Sequence, residues 1–420
     1  MKKIYFLSLM VLAIALSAFR ADAQTNYTKQ IIFVNGGDFG NADDYVTVAS
    51  YDLETQTTNE FATIYTQSVQ DVIINDGYAY VAAQDSIVKL NIDTYEKVAS
   101  VAASGINQLA TDGNVLIASF WYPVTENFVR IFSLDDLTLI SNIEGVSGEA
   151  AGILINDGVA LVAVPGGWGS TTGKIAAIDI AENTLLSEDD YGDFYAGIGY
   201  FAYYNDIIFS FMKTAWGDST AKVASFDNEG NVLAETTFTN AVLANGTGQF
   251  QDKYYVELNN GIAAYDMNSD EMNMIVDPQA ASIAASTIDT LNNMIYLTTS
   301  DFFSSGDGFI YDLGGTQTGL FDAGISAQAI AVDYRLNSGT DRISEEGMIS
   351  LFPNPATDFI RIKTKTRFNI QRINIVDVMG SIVYQGDASD RIDISNLDPG
   401  VYFINIMGNN SRASSRFIKN

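Results

Sequence analysis

The sequence predicts an all-β protein in which one four-stranded unit is repeated around a ring, followed by a smaller β-rich segment. Three observations predict this. Short apolar runs alternate with polar positions, as in half-buried strands. Asp-Gly and Asn-rich pairs of the kind found in tight hairpin turns separate many of these runs. An apolar run that ends in a short polar residue recurs 39 to 48 residues apart along most of the chain.

The stretch Val69–Ala103 contains one complete unit. Four short apolar runs fall within it, and Asp76-Gly77 separates the first two. Val72, Ile74 and Tyr78 belong to its alternating apolar positions. Such a small sheet cannot bury both of its faces alone, so it requires copies of itself on either side.

The copies are marked by the residue that ends each third strand: Asp52, Asn91, Ser133, Asp179, Asp227, Asp266 and Asp312. Their spacing is typical of propeller blades. Seven third strands accompany only six first-hairpin turns, and Ala327–Tyr334 can supply the missing first strand. We therefore expect residues 25–335 to form a seven-bladed β-propeller. Its first blade combines Gln30–Thr66 with Ala327–Arg335, which removes the open edges of a linear array.

Composition narrows the function classes. The 420 residues include no Cys and no His, which removes disulfides, thiolate chemistry and the commonest general base and metal ligand. Residues 25–335 carry 41 Asp and Glu against 9 Lys and Arg, which argues against nucleic acid as a partner. The acidity is explained by a solvated surface that keeps the protein soluble, or alternatively by attraction of cations or a cationic ligand.

The two ends of the chain differ from the ring. Residues 1–23 have the pattern of a secretory signal peptide: Lys2 and Lys3, an apolar run, and Ala21-Asp22-Ala23 as the cleavage site. Residues 336–347 are a polar linker. Residues 348–420 are more basic and predict an independently folding C-terminal β-sandwich of about seven strands.

This last segment also carries a resemblance. The stretches LFPNPATDFIRI, IVDVMGSIVYQG and IDISNLDPGVYFINI, with the basic end RFIKN, resemble the type A C-terminal sorting domain of the type IX secretion system of Bacteroidetes. The resemblance implies the type IX secretion machinery as a partner. It also implies export to the cell surface or the extracellular space. A generic adhesion or carbohydrate module is the alternative interpretation of residues 348–420.

A candidate binding face follows from the loops that join second and third strands, since equivalent loops of all blades emerge on one face of a ring. Five of these loops are long, and all three Trp residues of the protein lie in them. Exposed aromatic residues flanked by Gly mark binding surfaces, although each could instead cover the edge of its own blade. The predicted ligand-binding residues, including one from the connection between blades 4 and 5, are Phe39, Trp121, Tyr122, Trp168, Tyr195, Trp216, Phe302 and Phe303.

One loop suggests a cofactor. Asp38, Asn41, Asp43 and Asp44 provide oxygen ligands in a Gly-rich loop, a composition suited to Ca²⁺. The spacing is not that of an EF-hand, and a solvated acidic loop is the alternative. No other cofactor is predicted.

The ring also resembles YncE-like seven-bladed propellers of exported bacterial proteins, some of which capture cobalamin. We expect a surface or secreted protein that binds a small molecule, a glycan or a protein, with a corrinoid or a glycan as the first candidates. Two alternatives remain open: a carbohydrate-active propeller enzyme, which would depend on carboxylates alone, and a structural surface-layer or adhesion protein.

Overall fold

The computed structural model describes residues 25–166, 171–337, 349–364, 370–377, 382–387, 389, 391–408 and 412–420. The regular secondary structure of these residues is almost entirely β-strand, which confirms the predicted all-β class. Within the same ranges, no helix is long and apolar enough to cross a membrane. The predicted signal peptide and most of the predicted linker lie outside the described residues. One compact unit spans Tyr27–Arg335, and the strands that follow Leu336 belong to a second unit.

The first sheet of the ring joins the two ends of the propeller. Its strands are β1 (Thr25–Asn35), β2 (Val46–Asp52), β3 (Thr57–Ile64) and β28 (Ala327–Asn337). They lie in the order β28-β1-β2-β3, and β2 is antiparallel to both β1 and β3. The last strand of the propeller therefore fills the first position of its first sheet, as the missing hairpin turn predicted.

Six more four-stranded antiparallel sheets lie between these ends, each formed from consecutive strands. The second, third and fourth sheets contain β4 (Asp71–Asn75), β5 (Tyr78–Ala83), β6 (Ser86–Asn91), β7 (Glu96–Ala102); β8 (Ile106–Thr111), β9 (Val115–Phe120), β10 (Val129–Ser133), β11 (Leu139–Ile143); and β12 (Ile153–Asn156), β13 (Val159–Val164), β14 (Lys174–Asp179), β15 (Thr184–Asp190). The fifth, sixth and seventh contain β16 (Ile198–Tyr204), β17 (Ile207–Met212), β18 (Thr220–Phe226), β19 (Val232–Thr239); β20 (Leu243–Phe250), β21 (Lys253–Leu258), β22 (Gly261–Asp266), β23 (Glu271–Val276); and β24 (Ser282–Asp289), β25 (Met294–Ser300), β26 (Ser305–Asp312), β27 (Gln317–Ile325). A 3-10 turn, Asp193–Tyr195, precedes β16.

The core of the ring is divided among the gaps between neighbouring sheets. Each gap holds one cluster of buried side chains, from sheets 1 and 2 round to sheets 6 and 7. A further cluster joins sheet 7 to sheet 1 through Tyr296, Phe321, Ile31 and Phe33. Because the last sheet packs on the first in the same way as the others pack together, the ring is closed by a continuous core.

The recurring polar residue after each third strand has a local cause. The side chain of Asp52 accepts hydrogen bonds from the backbone N–H groups of Glu54 and Thr55, at 2.9 and 2.7 Å. Asn91 and Asp266 hold their turns in the same way. A short polar side chain that bonds the backbone two or three residues ahead stabilises the turn into the fourth strand. The repeat seen in the sequence is therefore a turn signal.

The C-terminal strands form two sheets with one core between them. The three-stranded sheet contains β29 (Ile349–Phe352), β30 (Phe359–Thr364) and β33 (Arg391–Asp393), and the four-stranded sheet contains β31 (Ile370–Val376), β32 (Ile382–Asp387), β34 (Gly400–Gly408) and β35 (Arg412–Lys419). Ile360, Ile373, Ile404 and Phe417 are buried between the sheets. The strand β33 ends at Asp393, whose carboxylate accepts the N–H of Ser395 and turns the chain.

Candidate functional site

The predicted aromatic loops share one face of the ring by topology. In every sheet the chain passes from the second to the third strand on one side, and returns from the fourth strand to the next sheet on that same side. We call this side the long-loop face; its second-to-third loops are 36–45, 84–85, 121–128, 165–173, 213–219, 259–260 and 301–304. The first-to-second and third-to-fourth turns lie on the opposite face. Side chains at the loop tips are therefore presented in a common direction.

Three of the predicted residues form one aromatic group where sheets 1 and 7 meet. The rings of Phe39 and Phe302 pack edge to face with centroids 5.8 Å apart, and the N–H of Phe39 donates to the carbonyl of Phe302 at 3.1 Å. Phe303 lies beside Gly40 of the same loop. All three rings are exposed, from 38% for Phe302 to 61% for Phe303. The two long loops therefore support each other and leave an apolar surface accessible.

The described tryptophans lie in separate loops of the same face. Trp121 and Tyr122 of sheet 3 are 46% and 77% exposed, and Trp216 of sheet 5 is 96% exposed. The N–H of Trp121 donates to the carbonyl of Gly105 at 2.8 Å, which fixes the start of its loop. Because Trp216 is almost completely exposed, its ring does not cover the edge of its own sheet. Trp168 lies outside the described residues.

The prediction that Tyr195 offers an exposed ring is wrong. Its side chain is 1% exposed and belongs to the core cluster between sheets 4 and 5. The ring lies 5.2 Å from that of Tyr191 and 5.6 Å from that of Phe226, measured between centroids. The 3-10 turn directs this ring inward, where it fills the gap between two sheets. Position in a loop is therefore insufficient to place an aromatic side chain on the surface.

The loop predicted to bind Ca²⁺ uses its polar groups on its own backbone. The carboxylate of Asp44 accepts the N–H of Asp38 at 2.7 Å, and that of Asp38 accepts the N–H of Gly40 at 2.7 Å. The side-chain oxygen of Asn41 accepts the N–H of Asp43 at 3.1 Å. In the described part of the chain, no group of three or more acidic side chains is arranged to hold a metal ion. The predicted ligand set is therefore not assembled.

The structure adds a cavity that the loop analysis missed. The first strands of the sheets surround the ring axis, and six of them line a cavity of about 160 Å³ that we call the channel mouth. Its polar lining is Gln70, Asp71, Gln108, Tyr200, Asn245, Ser286 and Gln328, and the remainder is Gly246, Ala284, Ala285, Ala329 and Ile330. Most of these residues lie in the first half of their strands, which is the half nearest the long-loop face, and Ser286 lies at the middle of its strand. The channel mouth and the aromatic loops thus open on the same side.

Asp71 is the only carboxylate among the residues that line the channel mouth. Burial raises its pKa to about 6, although the backbone N–H groups of Leu109 and Val72 donate to the carboxylate, at 2.8 Å each, and oppose the rise. A carboxyl group in this environment changes its charge between pH 5 and 7. The channel mouth therefore contains a hydrogen-bonding group whose protonation responds to mildly acidic pH.

A chain of hydrogen bonds rigidifies the wall formed by sheets 5 and 6. The hydroxyl of Tyr200 donates to the Oδ1 of Asn245 at 3.0 Å, and the Nδ2 of Asn245 donates to Glu257 at 2.8 Å. Burial raises the pKa of Glu257, while Asn245 and the charge of Lys213 oppose the rise. The Nζ of Lys213 lies 5.3 Å from the centroid of the Tyr200 ring. The side-chain oxygen and nitrogen of Asn245 are therefore both used in hydrogen bonds within this wall.

Gln108 differs from its neighbours. Its backbone N–H donates to Ser119, but within the described residues its side-chain amide makes no hydrogen bond. Gln328 uses its nitrogen on Ser326 and keeps its oxygen available. The signal that could have found these residues is a polar side chain in the first half of the first strand of a blade. Because the residues lie on six strands between positions 70 and 330, only ring closure brings them together.

The comparison with protein families finds one match. Residues 350–420 match the model of the Secretion system C-terminal sorting domain, which confirms the predicted type IX sorting domain. The domain defines an exported protein located at the cell surface or outside the cell, and it implies interaction with the type IX secretion machinery. No curated protein matches the sequence.

Solved structures resemble the fold at low sequence identity. A hypothetical selenium-binding protein from Sulfolobus tokodaii is 9% identical with a TM-score of 0.57; the match covers 75% of this chain and 94% of that chain. A candidate 6-phosphogluconolactonase from Bacteroides fragilis is 11% identical with a TM-score of 0.56, covering 73% and 98%. A chain of the Mitotic Checkpoint Complex is 10% identical with a TM-score of 0.51, covering 67% and 91%. At these identities the likeness concerns the fold alone.

Proposed function

We propose that this exported propeller captures an extracellular glycan on its long-loop face, with one sugar unit in the channel mouth and further units across the aromatic loops. The observation that carries the proposal is the coincidence of two features on one face: a polar cavity at the ring axis and exposed aromatic rings in the surrounding loops. Ligand sites commonly combine a concave polar centre with apolar contact area around it.

The chemistry of the channel mouth favours a neutral ligand rich in hydroxyl groups. Gln108 can donate and accept, the Gln328 oxygen can accept, and Asp71 retains acceptor capacity beyond its two backbone partners. No Lys or Arg belongs to the lining, and the ring as a whole is strongly acidic. An anionic ligand would meet repulsion with no cation to pair with, whereas sugar hydroxyls match the available acceptors.

The size of the cavity separates the candidate ligands. At about 160 Å³ the channel mouth is smaller than the roughly 300–1,000 Å³ of a site that encloses a whole drug-sized ligand. It can receive one end of a chain of sugars. A corrinoid is too large to enter and would lie across the aromatic loops only, so it would depend on Trp216 and Phe303 but not on Gln108.

The enzyme alternative receives less support from the same lining. Hydrolysis of a glycosidic bond by carboxylates alone needs two of them, about 5–10 Å apart, on either side of the bond. Asp71 has no second carboxylate beside it among the residues that line the channel mouth. Binding without turnover is therefore the function that we propose.

The test is a glycan array followed by calorimetry on the exported protein. We expect Gln108→Ala and Trp216→Ala each to weaken binding of the best glycan by about 1–3 kcal/mol, the range of a lost buried hydrogen bond or stacked aromatic ring. Tyr95→Ala is the control, because Tyr95 is an exposed aromatic residue next to a turn of the opposite face. Binding that depends on Trp216 but not on Gln108 would favour a corrinoid-type ligand. Equal loss with all three variants would contradict a site on the long-loop face.

A further inference from the structure

The two outer faces of the C-terminal sandwich differ in chemistry. On the three-stranded sheet most outward side chains are charged: Arg361, Lys363, Arg391 and Asp393 are all exposed, and Phe352 is an exposed apolar residue beside them. Arg361 and Arg391 also lie over the ring of Phe359, with their guanidinium carbons 5.9 and 4.3 Å from its centroid. This face is well suited to water.

At one end of the outer face of the four-stranded sheet the exposed side chains are mainly apolar, while the other end carries polar residues such as Arg372, Gln385 and Asn405. Burial alternates along β34, where Tyr402, Ile404 and Ile406 face the core while Val401 and Phe403 are 37% and 38% exposed. Along β35, Phe417 is buried, and Ile418 is 40% exposed. At the edge of the sheet, Ile382 of β32 is 56% exposed. Alternation of this kind puts the exposed members of each strand on one side of the sheet.

The pairing of the strands makes these residues contiguous. Val376 of β31 pairs with Ile382 on one side and with Phe403 on the other. On the other side of β34, Val401 pairs with Ile418 of β35. Directly paired residues on one face have Cβ atoms about 4.5–5.5 Å apart. We call this surface the apolar patch, formed by Val376, Ile382, Val401, Phe403 and Ile418; Arg416, which pairs with Phe403, borders it.

We propose that the apolar patch is the surface by which the secretion machinery recognises the sorting domain. The argument rests on where the patch lies. A domain that directs unrelated proteins to one export machine must carry the recognition surface within itself, and all five patch residues lie in the segment 350–420 that matches the sorting-domain family. A contiguous exposed apolar surface on a small domain marks an interaction site. The outer face of the three-stranded sheet is mainly charged and suits water. The solubility of the domain therefore does not explain why the opposite face carries an apolar patch.

The chemistry of the patch defines its partner. The complementary surface should be apolar at its centre and should present a carboxylate or backbone carbonyl opposite Arg416, which borders the patch and is exposed. Phe403 is central, since it pairs with both Val376 and Arg416. Aromatic residues at the centre of an interface usually contribute most of the binding energy. This proposal is independent of what the propeller binds.

The experiment follows export of the full-length chain in a host with a type IX system. The variant Phe403→Ser should reduce the extracellular or surface fraction about tenfold or more, with the uncleaved chain accumulating in the periplasm, as expected for loss of a central contact. Phe403→Leu, which keeps the patch apolar, should restore most of the export. Phe352→Ser is the matched control, because Phe352 is 45% exposed on the other sheet and its loss should leave export unchanged.

Folding of the sandwich is measured separately. Limited proteolysis of the purified full-length variants should cut the C-terminal segment of Phe403→Ser no faster than that of the wild type, since an exposed side chain contributes little to stability. Export of Phe403→Ser at the wild-type level overturns the proposal. So does a loss of export with Phe352→Ser alone, which would assign recognition to the three-stranded sheet. If Phe403→Ser instead abolishes a dimer of the purified protein and leaves export intact, the patch is an interface between copies and the proposal is wrong.

Discussion

The closing strand of the propeller is held by an ion-pair network whose removal has a calculable effect. Arg335, near the end of β28, donates to the fully buried carboxylate of Asp333 at 2.5 and 3.0 Å and to Asp93 of sheet 2 at 3.0 and 3.1 Å. Gln30 of β1 also donates to Asp333, at 3.0 Å. Burial by itself would lower the pKa of Arg335, but the hydrogen bonds with Asp333 and Asp93 raise it, so the guanidinium stays charged.

We expect Arg335→Met to reduce the free energy of unfolding by about 3 kcal/mol. Breaking a buried ion pair costs about 3–5 kcal/mol, because the partner left behind is a buried and uncompensated charge. The lower end applies here, since Gln30 remains as a donor to Asp333 and the half-exposed Asp93 contributes little. An unfolding entropy of about 2.1 cal/mol/K per residue, over about 310 residues, converts this loss into a fall in Tm of about 5 °C.

The assay is thermal unfolding at pH 7, followed by circular dichroism, with two comparison variants. Arg130→Met removes the other arginine of the ring, which lies 4.0 Å from the centroid of Phe120 and pairs with no carboxylate among the described residues. It should cost about 1 kcal/mol. Adding Asp333→Asn to Arg335→Met should restore part of the loss, because the stranded charge is gone. A Tm of Arg335→Met equal to that of the wild type, or no recovery in the double variant, would refute the reasoning.

Two further predictions concern the candidate site. Because the folded state raises the pKa of Asp71 to about 6, the contribution of this one carboxyl group to stability should fall as pH rises from about 4 to about 6. The Tm of Asp71→Asn relative to the wild type should therefore increase over that range, and a difference that is constant with pH would contradict it. Tyr195→Ala should lower the free energy of unfolding by about 3–5 kcal/mol, since it empties a buried site. Trp216→Ala should change the free energy of unfolding by no more than about 0.5 kcal/mol. Chemical denaturation measures the free energy of unfolding of both variants, and equal losses in the two would contradict the burial assigned to Tyr195.

The parts of the fold that were predictable depend on local chemistry. Asp52 and its equivalents cap turns within two or three residues, so their spacing reports the repeat directly. The place of β28 in the first sheet followed from a missing hairpin turn. The burial of Tyr195 could not be predicted in this way, because it depends on a gap between two sheets that the residue's own neighbours in sequence do not define.

The candidate site was only partly predictable for a related reason. The exposure of Trp216 and Phe39 follows from their Gly-flanked loops, which a single stretch of sequence reveals. The channel mouth combines residues such as Asp71, Tyr200 and Gln328, which are far apart in sequence and meet only at the ring axis. Each one alone is an ordinary polar residue in a strand. The sorting domain was recognisable because its motifs are contiguous and the family shares them.

The position of β28 in the chain sets the order in which the molecule can be completed. The hydrogen bond from Gln30 to Asp333 spans 303 residues. Strand β1 therefore cannot pair with β28, its neighbour on the inner side, until nearly the whole ring has been synthesised. The entropic cost of closing so long a loop grows only slowly with length, but such non-local pairing makes folding slow. The sorting domain follows β28 in sequence, after a short linker. A growing chain therefore contains the sorting domain only after it contains β28, the strand that completes the propeller. A chain that stops before β28 contains neither the closing strand nor the sorting domain.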